Sequence, residues 1–410
     1  MSTAPTEIAS ESPELAAFRA KARAWLDENL PRFSGADRAD SRAFRTALWD
    51  AGLLGITLDP AYGGQGLGSE FQRVFAEESR GRSMPPVGEA VTTGICAPTL
   101  LDFGTEEQKK RHVPRMIRGE ETWTQLLSEP GAGSDLAGLQ TKAVRDGDEY
   151  VLTGQKVWTS GAMTADLALC VARTNPDVPK HAGLSMFIVP LQGTPGVTIR
   201  PLRQMTGEAH FNEVFLDEVR VPLDALVGTE NNGWKALTAM LTHERLALGA
   251  GTGAGGSGQS WAQSQSERFM DLARQRGLAD DPTVRQEIVQ IYILEKTLAY
   301  MGQKMRDEIA AGVNVGSRGS VAKLASAILA RRASNVGMAL GGVAAQAWDP
   351  ARPEHAGLAT ASVNSPMLAI AGGTSEIQRN TIGERVLDLP REPSLDRDIP
   401  FKDILQNPTR

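Results

Sequence analysis

The hydrophobic pattern of this chain changes period twice along its 410 residues, and that order restricts the fold more than any single motif. In the first stretch apolar residues recur at helical spacing. Leu15, Phe18, Ala22, Trp25, Leu26 and Leu30 fall on one face of a helix over 13–30, which Pro31 ends. Phe44, Leu48 and Trp49 mark a second over 41–51, with Gly52 as its C-terminal stop. Helical patterns continue over 69–81, 87–103 and 105–118, the last opened by Thr105-Glu106-Glu107-Gln108 in the manner of a capping box. The period then drops to two. Runs at 142–145 and 150–153 flank Asp146-Gly147-Asp148-Glu149 as a hairpin, and short β-rich runs follow at 166–172, 184–190, 197–202 and 212–221. After Gly233 the helical period returns over 234–248, 259–276, 283–311, 318–347 and 375–387. The expectation is an α+β multidomain chain. An all-α N-terminal domain spans 1–120, a β-barrel or sandwich 121–231, and an all-α C-terminal domain 232–410.

Composition excludes several classes. A net charge of −6 argues against a nucleic-acid binder. No run of eighteen apolar residues is present, so no membrane span is expected, and the polar start shows no signal-peptide pattern. Cys96 and Cys170 stand far apart without metal-ligand spacing, which points to reduced thiols and a cytoplasmic protein. The histidines form no HExxH or paired pattern, so no metal site is expected.

Four loops are candidates for chemistry. Leu58–Gly68 is rich in glycine but lacks the Lys-Ser/Thr ending of a phosphate loop, and reads as packing. Gly249–Gly256 formally contains GxGxxG at Gly251, Gly253 and Gly256. Its helical flanks lack the strand a dinucleotide fold requires, so it reads as a widened or kinked helix. Leu126–Asp135 brings small residues and short hydroxyls together behind Pro130, either as a plain turn or as backbone offered to a flat polar ligand. Trp158-Thr159-Ser160-Gly161, at a strand end, either fills the mouth of the β domain or stacks on a planar ring.

Three stretches carry a resemblance to a known family. They are Leu127-Ser128-Glu129-Pro130-Gly131-Ala132-Gly133-Ser134-Asp135, then Gln155-Lys156-Val157-Trp158-Thr159-Ser160-Gly161-Ala162, and finally Gly372-Gly373-Thr374-Ser375-Glu376-Ile377-Gln378-Arg379. In this order on an α–β–α chain they resemble the acyl-CoA dehydrogenase family over residues 13–390, and its actinobacterial-type FadE branch in particular. The resemblance implies that family's fold, with a four-helix bundle as the C-terminal domain, and FAD held between the β domain and the C-terminal helices. It implies that Gln125, Leu127, Ser128, Gly133 and Ser134 run along the isoalloxazine ring, that Trp158, Thr159 and Ser160 lie on its other side, and that Thr374 and Glu376 approach from the last helix. Ser134 would lie where flavin meets thioester.

The reaction so implied is α,β-dehydrogenation of an acyl-CoA. A carboxylate removes the α-proton while the β-hydrogen leaves as hydride to flavin N5, and electrons pass on to an electron-transfer flavoprotein. A weakly acidic thioester α-carbon demands stabilisation of the enolate oxygen as the base pulls. The resemblance gives that task to a backbone N–H at Gly372, with Gly373 beside it. Many family members carry the base where this chain has Gly372. The FadE-type branch places it in a Glu-Arg motif, here Thr242-His243-Glu244-Arg245-Leu246. Glu244 is therefore the expected base, Arg245 orders it or the acyl-CoA, and His243 lines the entrance. Glu129 and Asp135 are read as bracing or capping backbone.

Two segments depart from the family pattern. Arg274–Pro282 stands where Arg-x-x-Phe-Gly is usual, and Leu340-Gly341-Gly342-Val343-Ala344-Ala345-Gln346 stands where Gln-x-x-Gly-Gly-x-Gly is usual. Both normally complete a neighbouring subunit's FAD site. The assembly is thus a homotetramer or a heterotetramer with a paralogue that supplies the missing contacts. Gly249–Gly256, just after Glu244, leaves room for a bulky acyl group or lets helices approach closely. Two competing readings keep the fold: an FAD-dependent oxidase or monooxygenase, and a catalytically weak partner subunit.

Overall fold

The computed structural model describes residues 11–33, 38–85, 91–249, 264–313, 315–346, 353–394 and 396–404. Among these, helices α1 (Pro13–Asn29), α2 (Arg38–Asp50), α3 (Ser69–Ser79), α4 (Ala97–Phe103) and α5 (Glu106–Arg118) come first. Strands β1 (Trp123–Leu126), β2 (Lys142–Asp146), β3 (Glu149–Ser160), β4 (Leu167–Arg173), β5 (Leu184–Pro190), β6 (Val197–Leu202), β7 (Phe211–Pro222) and β8 (Leu226–Val227) follow. The remaining helices are α6 (Gly233–Gly249), α7 (Gln265–Gln275), α8 (Pro282–Ala310), α9 (Gly319–Gln346), α10 (Pro353–Asn364) and α11 (Ser375–Arg385). The helix–sheet–helix order read from the sequence is the order observed. The stretch 250–263, with most of the glycine run, lies outside the described residues.

Two compact units emerge: Met1–Glu89 with Glu106–Glu121, and Ala90–Thr105 with Thr122–Arg410. The first is helical. Ser12 caps α1 and Pro13 sits in its first turn, where a missing N–H costs nothing. Phe18, Ala22 and Leu26 of α1, Phe44 and Leu48 of α2, and Val74 and Phe75 of α3 close on Leu53 and Ile56. The buried Arg45 donates to the Met116 and Ile117 carbonyls and so satisfies the open end of α5.

In the second unit one mixed sheet runs in the order β6-β7-β3-β2-β4-β5-β8, with β1 also pairing β4. The expected hairpin is there: β2 and β3 are antiparallel and close at Asp146↔Glu149. Strand β1 escaped the periodicity. It runs parallel to β4 and is almost wholly buried, so its four residues show no alternation. Helix α10 escaped too, because its Ala, Gly, Thr and Ser leave no apolar stripe. The helix expected over 87–103 is described from 91. It passes through a π turn, Thr92–Cys96, before α4, where Pro98 has no N–H to continue the α ladder.

The start of α6 is fixed to the sheet. Asn231 donates its N–H to Ser185 Oγ (2.8 Å) and accepts from Thr174 Oγ1 (2.7 Å). Gly233 follows, so close to Ser185 that a Cβ would lie 2.6 Å from its Cα. Only glycine lets the helix begin this near β5. From this anchor α6 runs about 16 Å to Glu244.

Candidate active site

The 126–135 stretch lies within an excursion from one edge of β4. Strand β1 leaves that edge at Leu126↔Cys170, and β2 rejoins it at Lys142↔Arg173. Inside the excursion Glu129 and Ala132 exchange backbone hydrogen bonds (3.0 and 3.1 Å) around Pro130-Gly131. The Val157 N–H donates to the Ser128 carbonyl (2.9 Å) and ties the loop to β3. The brace is internal. The Glu129 carboxylate accepts from the Gln140 and Thr141 N–H groups (2.6 and 2.9 Å) and from Lys156 Nζ (2.9 Å). Lys156, 0% exposed, also donates to the Leu127 carbonyl (3.0 Å). Burial alone would push the Glu129 carboxyl up. Lys156, Thr141 and Gln140 overcome that and hold it below the usual carboxylate range. Asp135 does something else: it accepts from Lys180 Nζ (2.9 Å), which also pairs with Asp396 (2.7 Å). With its polar interior so occupied, the loop turns Gly133 and Ser134 outward to solvent.

Beside it, the β3–β7 pairing slips between Lys156 and Thr159. At this bulge Trp158 takes φ 62°, a strained backbone for a bulky residue, and stands 58% exposed. Its ring meets Phe211 edge-on at 6.0 Å. Thr159 is buried and its Oγ1 has no partner among the described residues. The Ser160 carbonyl accepts from Thr124 Oγ1 (2.7 Å), which joins the bulge to β1.

Gln125, next on β1, belongs to a second group. Its amide is buried without a partner at full hydrogen-bond distance and acts on the Glu244 carboxyl. Glu244 keeps slight contact with solvent but is ringed by protein atoms. Burial pushes its carboxyl above the usual range, while Gln125, Arg245 and Lys323 pull it back without cancelling the effect. Arg245 donates to Thr242 Oγ1 (3.0 Å), and burial lowers its guanidinium. Lys323 donates to the Gly373 carbonyl (2.7 Å). Gly372 and Gly373 have φ 66° and 88°, a turn only glycine adopts without strain.

Two clusters thus meet at β1: Leu127, Ser128, Trp158, Thr159 and Ser160 on one side, and Gln125, Glu244, Arg245 and the Gly372–Gly373 turn on the other. Three expected residues turn elsewhere. His243 Nε2 pairs with Asp102 Oδ2 (2.8 Å). Thr374 caps α11 by accepting from the Ile377 N–H (3.2 Å). The Glu376 side chain is 77% exposed, within 3.5 Å of Arg379. Sequence reasoning missed Lys156 and Lys323. Lys156 left a signal, since it shares the inward register of Leu152 on β3. Lys323 left none, since α9 carries other polar residues such as Arg331 and Arg332 and the partners of Lys323 lie far along the chain.

An exposed aromatic, a buried hydroxyl without a partner and outward-facing loop backbone fit a flat, polar ring system, and FAD among such ligands. Family models for acyl-CoA dehydrogenase N-terminal, middle and C-terminal domains match residues 12–120, 124–219 and 231–387. The chain belongs to the acyl-CoA dehydrogenase family. It is an oxidoreductase acting on acyl-CoA. Among relatives of this family, it is 36% identical over 388 residues to acyl-CoA dehydrogenase IpdE1 of Mycobacterium tuberculosis, covering 92% of this chain and 98% of that protein. It spans only 49% of the length of FadE34 from the same organism, at 36% identity. Two solved acyl-CoA dehydrogenase structures are similar throughout. The Tcur3481-Tcur3483 steroid ACAD has TM-score 0.72 and 30% identity, covering 93% of this chain and 99% of that one. The ChsE4-ChsE5 complex from Mycobacterium tuberculosis has TM-score 0.71 and 30% identity, covering 94% and 100%. No helix among the described residues is long and apolar enough to cross a membrane.

Proposed function

We propose that this chain performs α,β-dehydrogenation of an acyl-CoA thioester, with Glu244 as the base that takes the α-proton. One observation carries this reading: a carboxyl ringed by protein lies in the same site as a glycine turn whose amides are free. The N–H groups of Gly372 and Gly373 donate to no acceptor among the described residues. Free amides there suit the oxygen on which charge develops as the α-proton leaves. A carboxyl with a raised pKa is the stronger base once ionised. Arg245 holds positive charge beside it, and His243, fixed by Asp102, lines the approach.

Leu127, Ser128, Gly133, Ser134, Trp158, Thr159, Ser160 and the start of α11 at Thr374 and Glu376 would hold FAD, with Gln125 between cofactor and base. When bound, FAD supplies the acceptor for the β-hydride. In functional terms the division stays at 1–120, 121–231 and 232–410: the middle part carries the cofactor wall and the last part the base. An electron-transfer flavoprotein is the proposed acceptor. Slow reaction of the reduced enzyme with oxygen supports that reading, whereas fast reaction overturns it in favour of an oxidase.

A heteromeric assembly is proposed as well. Where family members reach across an interface, Arg276 donates within its own chain to the Gly341 carbonyl (3.3 Å). The related ChsE4-ChsE5 structure is a complex of two different proteins. Purified alone, the chain should hold substoichiometric FAD, and full occupancy with ordinary turnover would overturn the heteromer. Because a steroid ACAD is among the similar structures, a bulky ring-bearing acyl group is the proposed substrate class. Preference for short straight chains in a panel of CoA thioesters would refute it. The central test is E244Q: flavin bleaching by substrate should vanish while FAD stays bound. Undiminished bleaching removes Glu244 from the mechanism.

A further inference from the structure

Lys323 is 7% exposed, in the second turn of α9, and its charge has no carboxylate within ion-pair distance among the described residues. Its ammonium instead donates to two backbone carbonyls, Leu368 (3.0 Å) and Gly373 (2.7 Å). A buried ammonium is costly unless it is well bonded, so this arrangement needs a reason. The reason lies in the segment it holds. Residues between the 3-10 turn Ser365–Ala369 and α11 pass through two left-handed glycines, and no ladder fixes them. Gln378, 1% exposed, reaches back from α11 and donates to the Gly372 and Gly373 carbonyls (2.8 and 3.2 Å). Every carbonyl of the glycine pair is thereby pinned from behind, while both N–H groups are left free. Lys323 ties the segment at both ends and Gln378 at the turn.

We propose that Lys323 is a positioning residue for the dehydrogenation. It fixes the Gly372–Gly373 turn so that its amides stay presented to a thioester oxygen, and it sets a positive charge within reach of Glu244. This rests on the reading of that turn as the thioester site. Two tasks follow from one group. The hydrogen bonds hold the donors that receive the developing negative charge. The ammonium favours the ionised form of Glu244 before the α-proton is taken. Besides each other, Glu244 faces Arg245 on α6 and Lys323 faces Glu376 on α11, while Arg385 on α11 acts on Arg245.

The test uses the FAD-loaded protein and acetoacetyl-CoA, whose acidic α-carbon ionises without loss of hydride. The C–H bond breaks, its electron pair moves onto the carbonyl oxygens, and the proton passes to Glu244. The bound enolate is read by its ultraviolet absorbance over a pH series. In K323M, with FAD content and melting temperature unchanged, the enolate fraction should fall about tenfold and its titration should move to higher pH. K323Q keeps a hydrogen-bond donor without the charge. It should recover enolate binding in part but retain the pH displacement. A K323M protein that binds and titrates the enolate like the wild type overturns the role of Lys323 alone. A wild-type protein that forms no enolate, or E244Q that forms it undiminished, overturns the underlying reading of the site.

Discussion

Glu244 holds its proton more tightly in the folded chain than in the unfolded one, because burial raises its pKa above the ordinary 4.5. Between 4.5 and the raised value the native state keeps a proton that the unfolded state has lost. Stability therefore falls as pH rises through that window and stays lower above it. E244Q, neutral at every pH, lacks this penalty. Its melting temperature relative to wild type should be near parity at pH 4 and higher at pH 8, while its dehydrogenation rate drops about 10²–10⁴-fold. Equal melting shifts at both pH values would show that the carboxyl is not strained. The Glu129 carboxyl has the opposite sign. The depressed carboxyl of Glu129 contributes stability above its unfolded value, lost as pH falls through the folded one. K156M leaves a buried carboxylate unpaired and should cost about 3–5 kcal/mol in urea denaturation. The double variant K156M/E129Q should recover part of that loss. A cycle showing no coupling would mean that the 2.9 Å contact braces nothing.

Among the elements, the bulge in β3 makes a prediction of its own. Trp158 combines a φ of 62° with a mostly exposed ring, so its backbone is strained and its side chain adds little to the fold. W158G should match or exceed the wild type in apoprotein stability, by about 1 kcal/mol, since glycine relieves the strain. The same change should weaken FAD binding about tenfold or more. Titration of apoprotein with FAD beside urea unfolding separates the two, and a loss of stability would contradict the strain. How far these elements were legible depended on whether neighbours or distance made them. The amphipathic helices and the β2–β3 hairpin announced themselves through period and turn residues, within a few positions of their observed ends. The loop at 126–135, Trp158, Glu244 and the glycine turn were legible as motifs. The bulge was not, because a slip in register between β3 and β7 depends on residues far apart in sequence. Nor was β1, buried and parallel, nor the role of Lys323, whose partners at Leu368 and Gly373 lie well beyond any local pattern.

For the molecule entire, α8 sets the question of company. Val289, Tyr292, Ile293 and Tyr300 lie along one side of this helix and remain exposed, Tyr300 at 73%. We propose that a stripe of that length packs against another chain. I293E/Y300E should reduce the mass seen by light scattering to a smaller species with its circular dichroism intact. An unchanged mass would release this face from any assembly. The C-terminal segment, by contrast, stays at home. Phe401 lies under the Arg173 guanidinium at 3.3 Å, and its N–H donates to the Val178 carbonyl (2.9 Å), fastening this segment to the end of β4 and the loop after it. The excursion between β1 and β2 bears on how such a protein comes into being. Its shape is set by a lysine of β3 and a glutamate of the excursion itself, and both its feet stand on one strand. The proposed cofactor wall is therefore held in shape by the chain alone, with no ligand needed to form it. Loading the proposed flavin should then be binding without folding, and apoprotein mixed with FAD should show no slow refolding phase.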